Sequence, residues 1–437
     1  MRKLPACQRE PRGGSSWEAG GRPPAAWILA VFVGALLVRA MVVGGWVGWR
    51  TAPEAEPSSD GRIYHRLAVS LLHGQGFGWD GVPTVSAPPL YPLFLAAVYR
   101  VAGPDPQVVR VLQVLLSALT AALLFHGLWR RYGTTVAGTA AGLWAIHPLA
   151  ALVSGLLLTE TLFNLLLAGI VALALKTRGT GRMGPALVLG LVGGLVSLTR
   201  SFFLGLAPFI SVWFAAGAPA GRRLALLAAG LVGLAVTVGP WTLRNFWVTG
   251  AFVPVQGNTG VMLWAGNNPQ ADGGMVFPSR LTWAGGALPD GPDYTWRGLS
   301  LSETNARYLR EVSRWVREDP VAATANVLAK LRRLFGFARA GEGPALQIPW
   351  GARWAHWAIL GMASAGFVLG LHRVRELGLF YLLLAYGVLT VVVFSGGTRY
   401  LMSILVGLLV FAAVAAEWLL RRGAAAVLRG PGDKGGR

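Results

Sequence analysis

One cysteine in 437 residues, Cys7, leaves no internal disulfide framework and no cysteine-based metal centre. Charge is scarce as well: Asp, Glu, Lys and Arg make up 13% of the chain, about half the roughly 25% usual in soluble domains. The acidic residues are scarcest, 19 against 39 Lys and Arg. No two of the histidines (His65, His73, His126, His147, His356, His372) stand at zinc-site helical spacing with carboxylate support. The glycine patterns of Walker and Rossmann phosphate loops are absent. So is any internal repeat, which removes support for the paired halves of many transporters. These absences exclude a disordered chain, a coiled coil and an ordinary cytosolic enzyme.

What the chain has is apolar length. It is 54% hydrophobic with a mean hydropathy of +0.52, and many runs approach the roughly 20 residues that cross a bilayer. The apolar segments are 26–48, 108–128, 134–152, 155–175, 184–199, 202–218, 224–241, 353–371, 377–395 and 400–420. They predict an all-α polytopic membrane protein with about ten transmembrane helices. The first is long enough to stay in the membrane, with no early cleavable signal expected.

The net charge of +20 does not point to nucleic acid, because the basic residues recur between apolar segments. A cytoplasmic N-terminus puts Arg2, Lys3, Arg9, Arg12 and Arg22 on the inner side. With them go Arg130/Arg131, Lys176/Arg178/Arg182, Arg222/Arg223, Arg373/Arg375, and Arg421, Arg422, Arg429, Lys434 and Arg437. The short loops opposite carry almost none. The expected organisation is a basic cytoplasmic N-terminus (1–25), a transmembrane module (26–242) with a first outer loop (49–107), and an extracytoplasmic loop domain (243–352). C-terminal helices (353–420) and a basic cytoplasmic tail (421–437) follow, in a plasma (inner) membrane protein.

Within the first outer loop, Ile63, Leu67 and Leu71 predict a helix over 61–73, followed by a Pro-Pro-Leu-Tyr-Pro turn at 88–92. In the second, a helix from Ser302 to Asp319 presents Tyr308, Val312, Trp315 and Val316 on one face and stops at Pro320. Residues 321–337, with Lys330, Arg332 and Arg333, read as a basic amphipathic stretch along the membrane surface. Gly257-Asn-Thr-Gly260 and Gly266-Asn-Asn-Pro269 are turn chemistry.

Charged groups in or near the apolar slab are costly and are functional suspects. Glu160, at the outer end of the fourth span, is the sole acidic residue between Asp105 and Asp272; the alternative is a polar residue bonding a neighbouring helix, as Thr159 or Asn164 could. Asp60 opens the first outer helix after Pro57-Ser58-Ser59, where a cap and a catalytic base are compatible roles. Glu54, Glu56 and Asp80 read as solvated loop charges. Arg200, Arg244 and Arg399 sit at outer ends of spans, against the charge bias, with Arg39 a weaker fourth. Guanidinium forks suit a lipid-linked phosphate, and snorkelling to anionic headgroups is the alternative.

Four stretches carry a family resemblance. They are Asp60-Gly-Arg-Ile-Tyr64 running on to Gly74-Gln-Gly76-Phe77, then Pro88-Pro-Leu-Tyr91-Pro92-Leu-Phe. Pro240-Trp-Thr-Leu-Arg244-Asn245 follows, with Phe252-Val-Pro-Val and Gly266-Asn267-Asn-Pro, and last Arg399-Tyr400. The chain resembles the GT-C membrane glycosyltransferases of the protein O-mannosyltransferase and aminoarabinose-transferase type. These include the bacterial group named after the Rhizobium lipopolysaccharide galacturonosyltransferases.

The resemblance implies a GT-C fold and an enzyme that moves a sugar from a polyprenyl-phosphate donor to a hydroxyl of a lipid, glycan or protein at the extracytoplasmic face. It makes Asp60 the base, and Thr159-Glu160 fits the family's second acidic position. Glu160, Tyr64, Tyr91 and Asn267 would contact acceptor or sugar, while Arg200, Arg244, Arg399 and Tyr400 would hold the donor phosphate. Membrane lipids are expected as surroundings; nucleic acid, a cofactor and a metal are not. Relatives often carry a basic residue where Ser86-Ala87 stands, and a proline where Leu401-Met402 stands. Phosphate recognition would then fall more heavily on the three arginines. A transporter or flippase of a lipid-linked or anionic substrate is the alternative function.

Overall fold

The computed structural model describes residues 25–53, 56, 59–79, 81–277, 299–336 and 350–428. Cys7, Glu54, Asp80 and the basic residues of 2–22 and 429–437 lie outside the described residues. The helices are α1 (Ala25–Val42, extended by a π-helical turn to Val47), α2 (Ser59–Leu72), α3 (Leu90–Ala102), α4 (Pro106–Ile146) and α5 (Pro148–Val153). Next come α6 (Glu160–Thr177), α7 (Met183–Thr199), α8 (Phe203–Ala216), α9 (Ala220–Thr249) and α10 (Thr259–Ala265). Last are α11 (Leu301–Glu318), α12 (Pro320–Leu334), α13 (Arg353–Leu369), α14 (Val374–Val393) and α15 (Leu405–Leu428). A two-residue hairpin pairs β1 (Gly78–Trp79) with β2 (Val82–Pro83). The chain is an all-α polytopic membrane protein. Among the described residues, Ala25–Val47, Pro106–Ile146, Glu160–Thr177, Ala220–Thr249 and Leu371–Val393 are long and apolar enough to cross a bilayer.

Each expected apolar segment falls on a helix, with moved ends. Segments 108–128 and 134–152 lie in α4 and α5. Gly133 interrupts α4 at φ 79°, ψ 174°, a conformation that glycine adopts without a Cβ penalty. There the chain folds back: Trp144 Nε1 donates to Ser117 O at 2.9 Å, whereas 27 residues of straight helix would part them by about 40 Å. The Pro88–Pro92 stretch leads into α3, which begins at Leu90, with Pro92 in its first turn, where a missing N–H costs nothing.

The helix α9 runs past 242 to Thr249, although it contains Pro240. Its last turns are fastened to the segment that follows. Trp241 Nε1 donates to Val255 O (2.8 Å), Thr242 Oγ1 to Pro254 O (3.0 Å) and Asn245 Nδ2 to Val253 O (3.0 Å). Likewise Pro320 ends α11 by starting α12, where Asp319 accepts from the Ala322 amide. The capping box of Ser300 and Glu303 starts α11.

The two outer segments meet at one end of the bundle. Gly257 N donates to Val85 O (2.8 Å), and Gln256 Nε2 and Asn258 Nδ2 both donate to Ser86 O. Three sequence expectations fail here because cations find partners inside the fold, carbonyls at chain reversals for Arg39 and Lys330 and a carboxylate for Arg333. Arg39 is fully buried between α1 and α4, donating to Ala145 O and Trp144 O at the end of α4 and to Ser117 Oγ. Lys330 does not lie along a membrane surface. It is fully buried and donates to Val392 O (2.9 Å) at the end of α14 and to Asn267 Oδ1 (2.7 Å). Burial pushes its ammonium down to about 8. Arg333 also turns inward, to Asp272 at 2.5 Å. On α11, Tyr308 and Trp315 are buried as expected, whereas Val316 is exposed.

Small residues let the membrane helices approach. A Cβ on Gly190 of α7 would collide with Gly230 O of α9, and one on Gly233 with Leu187 O and the Leu191 amide. Gly239 of α9 faces open space. Gly233→Leu is therefore expected to destabilise the detergent-solubilised protein by about 1–3 kcal/mol, read as a lower thermal midpoint. Gly239→Leu is expected to leave the midpoint unchanged.

Candidate active site

Four charged residues from four parts of the chain converge. Asp60 lies in the first turn of α2, one residue inside the helix rather than at its cap, where free N–H groups favour a carboxylate. Glu160 opens α6 in the same way. Arg200 is the residue that ends α7. Arg399 stands on a 3-10 turn, Thr398–Ser403, ahead of α15.

Arg399 bridges both carboxylates. Its Nη1 donates to Asp60 Oδ2 at 2.5 Å, its Nε to Glu160 Oε1, and its Nη2 to Glu160 Oε2 at 3.2 Å. Arg200 Nη1 lies 2.8 Å from Glu160 Oε1, and Thr159 Oγ1 donates to Glu160 Oε2 at 3.2 Å. The Glu160 side chain has no exposed surface, whereas that of Asp60 is 38% exposed. Burial alone would lower the Arg399 pKa, but the charges of Glu160 and Asp60 outweigh it and hold the guanidinium protonated, well above its usual range. Aromatic faces surround Arg200, those of Phe202, Tyr400 and Phe163.

Tyr64, one turn after Asp60, completes the cluster. Burial raises its hydroxyl pKa, Asp60 adds to the rise, and the hydroxyl stays a donor. Its ring meets Tyr91 edge-on at 5.2 Å. Tyr91 is buried behind it and donates to Gln113 Oε1 at 2.8 Å.

The structure thus brings Asp60, Glu160, Tyr64, Arg200, Arg399 and Tyr400 together, with Tyr91 packed behind. It engages the other two expected site residues in the outer segments. Arg244 donates to Thr84 O (2.6 Å) and Phe77 O (2.9 Å) and stacks near Trp241 and Phe77, which ties the β-hairpin region to α9. Asn267 Nδ2 donates to Leu263 O and Val393 O, and its Oδ1 accepts from Lys330. With Gly396 N donating to Gly273 O at 2.7 Å, these bonds hold the strap from α14 to Arg399.

Sequence reasoning missed a second charge pair. Glu56 is not a solvated loop charge: it is buried and paired with Arg110 at 2.6 Å. The available signal was Arg110 itself, a cation inside an apolar run. Among the described residues, no group of three or more His, Cys, Asp or Glu side chains could hold a metal ion.

Burial sets how each carboxylate matters to stability. Glu160→Gln removes the counter-charge of Arg200 in the bundle and leaves Arg399 with Asp60 alone, and is expected to cost about 3–5 kcal/mol. Asp60→Asn breaks a part-exposed pair and is expected to cost under about 1 kcal/mol. Thermal melting of the two variants in detergent checks the difference.

Residues 86–242 match the family model described as dolichyl-phosphate-mannose-protein mannosyltransferase. The stretch holds Tyr91, Glu160 and Arg200, while Asp60, Arg244 and Arg399 lie outside it. No curated protein sequence matches the chain. The apo oligosaccharyltransferase of Archaeoglobus fulgidus aligns over 94% of this chain and 52% of its own at 13% identity, with a TM-score of 0.56. The same protein tethered to an acceptor peptide containing the NVT sequon aligns over 94% and 51% at 12% identity, with a TM-score of 0.54. This chain therefore spans about half the length of that protein. ArnT from Cupriavidus metallidurans bound to undecaprenyl phosphate aligns over 93% of this chain and 80% of its own at 16% identity, with a TM-score of 0.42. The match over residues 86–242 and the fold shared with the oligosaccharyltransferase of Archaeoglobus fulgidus state what this polytopic membrane protein is similar to.

Proposed function

We propose that this protein transfers a sugar from a polyprenyl-phosphate donor to a hydroxyl of a lipid, glycan or protein at the extracytoplasmic face of the plasma membrane, with both termini cytoplasmic. The observation that carries the reading is Arg399 held between a buried carboxylate and a part-exposed one. The charge bias of the short loops supports the orientation. The family match to a lipid-phosphate-dependent mannosyltransferase supports the donor class.

The proposed reaction is a single inverting displacement. The acceptor hydroxyl attacks the anomeric carbon, the bond from that carbon to the phosphate oxygen breaks, and the hydroxyl proton passes to the Asp60 carboxylate. Polyprenyl phosphate leaves with the electron pair. Phosphate is a good leaving group, so fixed positive charge is required more than a general acid. Glu160 is saturated and buried, and serves to orient both guanidiniums. Asp60 is the partner that can yield. Donor phosphate takes the Arg399 Nη1 contact from Asp60, and this frees the carboxylate to act as base once the donor is in place. Tyr64 and Tyr400 border the sugar and phosphate, and Tyr91 supports Tyr64. Arg244 and Asn267 contribute by holding the outer segments around the cluster.

Asp60→Asn is expected to lower transfer from polyprenyl-phosphate sugar by about 10²–10⁴-fold, yet to bind polyprenyl phosphate more tightly than wild type. Arg399→Ala is expected to weaken that binding by about tenfold or more, while Arg314→Ala on the exposed side of α11 leaves it unchanged. Transfer assays and lipid-phosphate titrations on purified protein read both. Near-wild-type turnover by the Asn variant rejects Asp60 as base, and equal effects of the two arginine changes reject the phosphate clamp.

A further inference from the structure

The buried pair outside the charge cluster is joined to both helices that carry its carboxylates. Arg110 of α4 spends its fork on the chain around it: Nη2 to Glu56 Oε1 (2.6 Å), Nε to Gly155 O (2.8 Å) and Nη1 to Trp49 O (3.0 Å). The Glu56 carboxylate accepts a second bond, from the Leu157 amide to Oε2 at 3.0 Å. Glu56 lies four residues before Asp60, and Leu157 three before Glu160. The first turn of α2 rests directly on this carboxylate. A Cβ added to Gly61, next to Asp60, would stand 2.5 Å from Glu56 Oε2 and 3.5 Å from Leu157 Cβ.

Resting on the proposed reaction, we propose that Glu56, fixed by Arg110, is a positioning residue that sets where Asp60 stands relative to Glu160. A buried ion pair is a weak source of stability, since apolar residues of the same volume hold a core as well or better. What it supplies is direction: a carboxylate that accepts from a guanidinium and an amide together has a single place to be. The two sides of the joint depend on it unequally. Segment 154–157 keeps other ties, from Arg110 Nε and from Gln113 Nε2 to Ser154 O and Leu156 O. The start of α2 instead sits against the carboxylate itself, so loss of Glu56 moves Asp60 and leaves the Glu160–Arg399–Arg200 clamp in place. Displacements of about 1 Å at a reacting group cost up to about 10²-fold in rate.

The test separates turnover from donor binding. Glu56→Gln keeps the shape but places an N–H donor against a donor. It is expected to lower kcat by about 10- to 100-fold while polyprenyl phosphate binds within about threefold of wild type. Glu56→Asp, which keeps the charge, is expected to recover part of the lost kcat. Gly61→Ala is expected to reproduce the loss with the Glu56–Arg110 pair intact. If Glu56→Gln cannot be recovered folded, Gly61→Ala decides by the same readouts. A wild-type kcat in Glu56→Gln or Gly61→Ala, or a fall in kcat matched by an equal fall in binding, overturns the positioning role. Polyprenyl phosphate binding that does not depend on Arg399 would instead overturn the donor reading, and the two failures are thereby distinguishable.

Discussion

A guanidinium withdrawn from water must be surrounded by counter-charge, and Arg399 meets that requirement by drawing α2 and α6 to a single point. Two carboxylates, each placed in the opening turn of its helix, face one cation. The end of α7 supplies a second cation through Arg200. Four segments must therefore end at the same depth and on the same side of the bundle. The strap that carries Arg399 is fixed from the other side: Lys330 and Asn267 occupy the last carbonyls of α14, and Gly273 pairs with Gly396. The outer helices thus hold the charge cluster in register through backbone oxygens as well as through apolar contact, as at Leu334.

The unequal exposure of the two carboxylates gives them different capacities. Glu160 accepts from Arg399, Arg200 and Thr159 in a fully buried setting, where giving up any one of them is costly. Asp60 keeps a face toward solvent. In the proposed reaction it is this carboxylate that exchanges a protein partner for the substrate.

Much of this was legible in the sequence where the bilayer sets the rule. Runs of apolar residues must be helices in hydrocarbon, and Glu160, Arg200 and Arg399 stood out because charge there is expensive. Partner choice was harder to read. Glu56 lies among prolines and serines and looks solvated, and its partner Arg110 comes 54 residues later. Arg39 reads in sequence as a fourth, weaker candidate for a lipid-linked phosphate, and Lys330 as part of a basic stretch along the membrane surface. Here, helix ends that happen to be buried offered them carbonyls. The same holds for Asn267 and Arg244, whose motifs are conspicuous while their bonds go to backbone oxygens. Which helix end a cation caps depends on tertiary packing, and no local pattern encodes it.

Arg399 stands 239 residues after Glu160 and 339 after Asp60, a separation with a bearing on biogenesis. The chain emerges from the ribosome with both carboxylates of the cluster well ahead of the cation that bridges them. Until the C-terminal helices insert, Glu160 sits at the rim of an unfinished bundle with one of its two guanidiniums missing, a state that hydrocarbon tolerates poorly. A prematurely terminated copy carries that imbalance permanently. It is thereby distinguishable, on electrostatic grounds alone, to any quality-control machinery that senses unneutralised charge in the membrane.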